Sequence, residues 1–312
     1  MNKNFVYGIM FHHLHNSKEK KFYQGSISSR NFRRIINDFG KKNILSPLEY
    51  SEKVLNNKIK DNEICLTFDD GLKSQYDVAL PILEELKLKA FFFPNSSNFV
   101  QENELFEYCR YFRIKYFDNV NQFYEKFFSY FKVNELEIFL STQKKNINNY
   151  LKTLPIYTLE DIKFRLVRDI YLGEKKYYNY MLKMFKEYKF NYKNVTNEIF
   201  FTKKELVEIS ALGHEIGLHF HTHPTNLRSM KHSMQLKGYK RNYNFLSKTL
   251  KKRAFSMAHP SGSYNSDTFK VLKELNIGIG FNCYKKHNYR LKNYKNNKYE
   301  INRTDAGYFI KR

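Results

Sequence analysis

Thr67-Phe68-Asp69-Asp70-Gly71 ends an apolar run, Ile64-Cys65-Leu66-Thr67-Phe68, with two adjacent carboxylates and a glycine. A short run of β-favouring residues closed by glycine reads as a buried strand and its turn. Like charges side by side at such a strand end are costly unless a cation, a proton or donors compensate them. The plain alternative is an exposed Asp-Asp turn, which the turn preferences of Asp and Gly also allow. Around this run the pattern repeats. A strand is expected over 5–11, a helix over about 30–39, and another strand at Lys89-Ala90-Phe91-Phe92-Phe93. Ser74 to Leu86 carries apolar residues at helical spacing, with Pro81 an irregularity near its middle. Strands alternating with helices give βαβ units and a parallel sheet.

The second informative stretch is Gly213-His214-Glu215-Ile216-Gly217-Leu218-His219-Phe220-His221-Thr222-His223-Pro224. His219 and His223 have the i, i+4 spacing that would turn both toward a metal on a helix. Pro224 is poorly tolerated in a helix interior and restricts its predecessor, so the group belongs on a loop or first turn after a strand. A His-Glu-x-x-His zinc helix is excluded, because no glutamate separates these histidines. Paired with the distant Asp-Asp-Gly, they point to a metal site.

Thr67 to Gly71 resembles the first motif of the polysaccharide deacetylases, the NodB-homology domain of carbohydrate esterase family four. His219 to Pro224 resembles the second motif, His-[Ser/Thr]-x-x-His-Pro, and Ala258-His259-Pro260-Ser261-Gly262-Ser263-Tyr264-Asn265 a degenerate third. The resemblance implies a distorted (β/α) barrel from residues 1–100 and 199–312. Residues 101–198, helical in pattern and dense in Phe, Tyr, Lys and Leu, would be an all-helical insertion, expected as a cap near the site. Its aromatic stripes read as its own core. Further elements are expected as strand 215–219, helix 231–251, strand 255–259, helix 266–275 and strand 277–281.

Carried over by position, the resemblance implies that Asp70, His219 and His223 ligate one divalent metal. Zinc is the first expectation, with Co, Ni, Mn or Fe accepted by the same donors. Asp69 would be the general base toward the attacking water, and the Ser261 N–H would help stabilise the oxyanion. The sequence departs from the family at Phe220, where Ser or Thr is usual, and in lacking an arginine at Phe255-Ser256-Met257-Ala258 to hold the base. Arg303 on a C-terminal strand is the candidate replacement, the alternative being a surface arginine. The Leu-x-His motif near the C-terminus is also missing, and Lys285-Lys286-His287 lacks its strand context. Val6 to His13 instead resembles the Met-Tyr-His-His opening of a circularly permuted branch. His12, or else His13, would then be the general acid, since strand alternation turns only one inward. His13, His259, Arg303 and Tyr264 are candidates for substrate binding or support of the site.

The chemistry asks for these residue types. Amide hydrolysis at neutral pH needs an activated water, a carboxylate free to take its proton, oxyanion donors and an acid for the leaving amine. An ester needs that acid less, so N-deacetylation of a sugar or glycan precursor is favoured over O-deacetylation or deformylation. A carbohydrate- or nucleic-acid-binding protein on a decayed scaffold is the non-enzymatic alternative.

Three widely spaced cysteines among 312 residues suit a reducing compartment. The N-terminal apolar stretch is too short for a signal peptide, so a cytoplasmic location is expected. The formal charge of +23 is spread among Asn, Tyr, Phe and Ile with no compact arginine-rich block. An AT-rich genome would produce this. It would also draw in a nucleotide- or lipid-linked sugar or an anionic membrane face. The 25 tyrosines and 29 phenylalanines form no nucleic-acid module, and no specific nucleic-acid partner is expected.

Overall fold

The computed structural model describes residues 7–100, 102, 105–153, 158–283 and 298–310, and places nine strands among them. In chain order they are β1 (Gly8–Phe11), β2 (Leu14–His15), β3 (Ile27–Ser28), β4 (Cys65–Asp69), β5 (Phe91–Phe93), β6 (Glu215–Ile216), β7 (Ser256–Ala258), β8 (Ile279–Cys283) and β9 (Ile301–Asp305). β2 and β3 make a small parallel ribbon. The other seven form one parallel sheet in the order β6-β5-β4-β1-β9-β8-β7. Its two edges meet at Leu218. The Leu218 N–H donates to Ser256 O (2.9 Å) and its carbonyl accepts from Ala258 N–H (2.8 Å). The sheet is thereby nearly closed into the (β/α) barrel expected from the sequence.

Side-chain alternation sorts the barrel's two faces. Leu66 and Phe68 of β4, Phe92 of β5 and Met257 of β7 pack in a large core with helix residues such as Phe32, Ile35 and Ile36. Cys65, Phe91, Phe93, Ala258, Ile279, Phe281 and Ile301 gather in a second cluster with Tyr50. Thr67 and Asp69 share the parity of Cys65, and Arg303 that of Ile301, so these polar groups belong with the second cluster. β1 lies between β4 and β9, which brings the N-terminal histidines beside both.

Several boundaries differ from expectation for identifiable reasons. The 74–86 segment opens with a wide π-turn, Gln75–Ala79, before the helix Leu80–Glu85. Pro81 then falls in the first turn of that helix, where proline is best tolerated. The strand expected over 215–219 is only Glu215–Ile216. Gly217 lies so close to Phe93 and Ser256 that a Cβ would sit 2.4–2.6 Å from them. Residues 5 and 6 of the expected first strand, and Lys285-Lys286-His287, lie outside the described residues.

The barrel strands fall in one compact unit, Met1–Lys20 with Ser26–Glu104 and Thr196–Arg312, while Lys21–Gly25 and Leu105–Val195 form a second. The second unit is helical and its core is aromatic. Phe112, Phe123, Phe127, Phe164, Tyr177 and Phe185 are buried, with Phe127 edge-on to Phe164 at 5.0 Å. The insertion's aromatic residues are thus largely its own packing. Among the described residues, no helix is long and apolar enough to cross a membrane.

Candidate metal centre

β4 ends at Asp69, and Asp70 takes a left-handed conformation (φ 75°). The Asp70 N–H donates to Phe93 O (3.0 Å), and its carbonyl accepts from Asn98 Nδ2 (3.0 Å). Gly71 follows at φ 70°, where a Cβ would meet Pro94 at 2.9 Å. Only glycine suits both demands.

The histidine stretch turns just as sharply. Phe220 holds φ 68°, so the alternation of a strand is broken between the first and second histidines. His219 and His223 come to Asp70, with ring centroids 5.1 Å apart. His221 goes elsewhere, to Ser96 Oγ (2.8 Å) and Glu102 Oε2 (3.1 Å).

The donor atoms fit a divalent ion. His219 Nδ1 must carry the proton, because its partner, the Ala258 carbonyl at 2.9 Å, can only accept. On the neutral ring Nε2 is therefore a lone pair, and it lies 3.3 Å from Asp70 Oδ1. Neither of these buried atoms has a hydrogen-bond partner. His223 Nε2 lies 3.6 Å from the same oxygen, and the three donors all fall within 4.8 Å of one another. Acceptors facing one another in a buried site call for positive charge between them, a proton or a metal. Two imidazoles and one carboxylate are the donor set that borderline divalent metals take while keeping positions open. Burial favours a neutral His219, but Asp69 and Asp70 outweigh it and raise its pKa. Burial likewise opposes charge on Asp70, yet His223 and His219 hold it well below the carboxylate range.

Asp69 is buried beside this cluster but held differently. Arg303 grips it with two parallel bonds, Nη1 to Oδ1 at 2.7 Å and Nη2 to Oδ2 at 2.8 Å, and Nη1 also reaches Thr67 Oγ1 (3.0 Å). Arg303 is 1% exposed, so the surface alternative does not hold. Burial would raise the Asp69 pKa, but the guanidinium outweighs it and the carboxyl stays ionised. Gln75 fixes the strand end from the π-turn, donating to Asp69 O (2.5 Å) and His12 O (3.2 Å).

The His12 ring is partly exposed, its Nδ1 4.0 Å from Asp305 Oδ2. His13 is buried. In the third motif, Ser261 is left-handed (φ 53°) and exposed. His259 is buried, its ring stacked on Tyr264 at 4.4 Å and its Nε2 donating to Tyr299 O (2.7 Å). Tyr264 Oη donates to Glu300 (2.7 Å) and accepts from Asn282 (3.0 Å).

The family model for polysaccharide deacetylases matches residues 56–279, well over half of the chain. The chain belongs to the polysaccharide deacetylase family. Membership assigns the broad chemistry, hydrolytic deacetylation of polysaccharide. No curated protein matches the sequence. Solved structures share the fold. The Streptococcus pyogenes deacetylase PplD in complex with acetate is 17% identical, with a TM-score of 0.55 over 96% of this chain and 91% of that one. A de-N-acetylase from Aggregatibacter actinomycetemcomitans is 14% identical, TM-score 0.55, over 96% and 95%. IcaB from Ammonifex degensii is 13% identical, TM-score 0.53, over 96% and 91%.

Two asparagines that the sequence reading missed hold the histidine loop of this deacetylase-family barrel. Asn242 Oδ1 accepts from the His219 N–H (2.9 Å), and Asn95 Nδ2 donates to His219 O (2.6 Å) and Thr222 O (2.8 Å). A signal for Asn242 exists. It falls on the buried face of the helix His232–Leu250, in step with Gln235, Gly238, Tyr239 and Leu246. Asn95 has no such local mark.

Proposed function

We propose that this chain is a divalent-metal-dependent hydrolase that removes an N-acetyl group from a sugar or glycan precursor. The observation that carries this reading is the convergence of unpaired lone pairs from Asp70 and His219, with His223, beside a carboxylate that is not one of the three. Asp70, His219 and His223 would hold the ion. When bound, it would supply Lewis acidity and lower the pKa of water to about 7.

The chain's own groups perform the remaining steps. Asp69 stays ionised through Arg303, yet each of its oxygens keeps a lone pair after that pairing. It takes the proton of the attacking water. Arg303 is a positioning residue, replacing an arginine that the third motif lacks. The Ser261 backbone N–H donates toward the oxyanion. His12, protonated, gives its proton to the leaving amine, and acetate and a free amino sugar result. The +23 charge would speed encounter with nucleotide- or lipid-linked precursors and with an anionic membrane face, an effect that salt would weaken. The three free thiols suit the cytoplasm.

The test is metal content of chelator-free protein, followed by acetate release from acetylated oligosaccharides and nucleotide sugars. Near-stoichiometric metal and product are expected. Protein that takes up no metal, or an Asp69→Asn variant with undiminished turnover, would sink the reading.

A further inference from the structure

Phe220 is an unusual residue to find between two candidate ligands. Its φ of 68° lies where bulky side chains rarely go, and such conformations persist only when the surroundings over-determine them. The helix His232–Leu250 provides those surroundings. The Phe220 ring is 4% exposed, edge-on to Tyr239 at 4.9 Å, and lies directly over Gly238. A Cβ on Gly238 would stand 1.9 Å from Phe220 Cζ. Glycine inside a helix is unfavourable against alanine, and this slot is what the missing side chain provides. One turn later on the same face, Asn242 accepts from the His219 N–H and donates to Pro94 O (3.2 Å). A single helix face therefore fixes both the backbone of His219 and the side chain that follows it.

We propose that Phe220 and Gly238 form a lock that positions His219 and His223 as a pair for the divalent ion. The proposal rests on the metal-site reading above. Phe220 and Gly238 are positioning residues and are not among the three donors. The left-handed turn at Phe220 separates His221 from the other two histidines, and the ring in its slot holds that turn.

A double-mutant cycle tests it, read as Co²⁺ or Zn²⁺ affinity by chelator competition, with the Co²⁺ absorption spectrum reporting donor geometry. Gly238→Ala should weaken affinity about 10–100-fold, as loss of outer support to metal ligands typically does. In a Phe220→Ala background, where no ring fills the slot, the same change should cost almost nothing. Equal costs in both backgrounds, or none in either, would overturn the lock. If Gly238→Ala does not fold, Phe220→Gly decides. Affinity reduced at least about tenfold supports the lock, by the same expectation, and unchanged affinity and spectrum refute it. Unsubstituted protein that binds no metal would overturn the metal reading itself. Metal binding with an additive cycle would overturn the lock alone.

Discussion

Asp70 at the barrel rim and Asp161 in the helical unit are both sequestered carboxylates, and they differ in what meets them. Asp161 accepts from the Tyr124 hydroxyl on one oxygen, and from the Thr158 N–H (2.8 Å) and hydroxyl (3.0 Å) on the other. It completes a capping box for the helix Leu159–Leu166, so its charge is answered locally. Asp70 Oδ1 has no hydrogen-bond partner and faces two imidazole nitrogens. Asp69, its neighbour, is answered by Arg303. Burial of a carboxylate is thus no mark of a site. What distinguishes one is buried ligation left open by protein groups, with several such atoms aimed at one point. Among the described residues, the helical unit leaves none of its buried side-chain polar atoms unpartnered.

The largest expected effects break this contrast at the open end. Asp70→Asn or His219→Ala should abolish stoichiometric metal, measured by elemental analysis. Asp69→Asn should retain metal while kcat for acetate release falls about 10²–10⁴-fold. Metal retained in the first pair would remove the basis for treating those atoms as ligands.

Next comes the answered charge. Arg303→Met leaves Asp69 buried and unpaired, at a cost of about 3–5 kcal/mol in denaturant unfolding. Because the native Asp69 pKa is depressed, its pairing contributes fully above the unfolded value of about 3.9 and is lost as pH falls below it. The stability gap between the two proteins should therefore close in acid. The acid limb of the pH–rate profile should shift upward in the variant, because the carboxyl no longer has its cation.

His259 tests the contrast through a neutral group. Burial presses its pKa down to about 4, against the opposing bond to Tyr299 O. Between pH 6.5 and 4 the unfolded chain takes up a proton that the folded one refuses, so stability falls by about 1.4 kcal/mol per pH unit. His214, also pressed to about 4 by burial, adds a similar slope. His259→Phe should therefore make the decline in unfolding free energy shallower by about 1.4 kcal/mol per pH unit over this window. An unchanged slope would argue that His259 is charged in the fold.

The smallest effect belongs to Asp161→Asn. It should lower the stability of the helical unit by about 1 kcal/mol, with metal content and turnover unchanged. Turnover reduced as far as in Asp69→Asn would erase the distinction between answered and open carboxylates.

Much of the barrel was legible because its signals are short-ranged. Apolar runs, glycine stops and helical spacing marked β4, β5, β7 and the helices Ser29–Phe39, His232–Leu250 and Ser266–Glu274 close to where they lie. The residues that cluster at the rim were likewise readable as types, since two aspartates and alternating histidines are conspicuous at strand ends. Less legible were the places where close approach overrides local preference. Examples are the early end of β6 at Gly217, the π-turn ahead of Pro81, and the left-handed backbone at Asp70 and Phe220.

By itself, then, the sequence marked the main strands and helices of the barrel, and which carboxylates and imidazoles stand at their ends. Periodicity and turn chemistry act over a few residues, so a one-dimensional reading can capture them. Only the tertiary structure decided which groups meet. Arg303 finds Asp69 from the far end of the chain, Asn242 reaches His219 from a helix, and His221 is sent to Glu102 while its neighbours converge on Asp70. Those pairings follow from barrel closure and from the crossing of a helix face with a loop, and no local pattern encodes either.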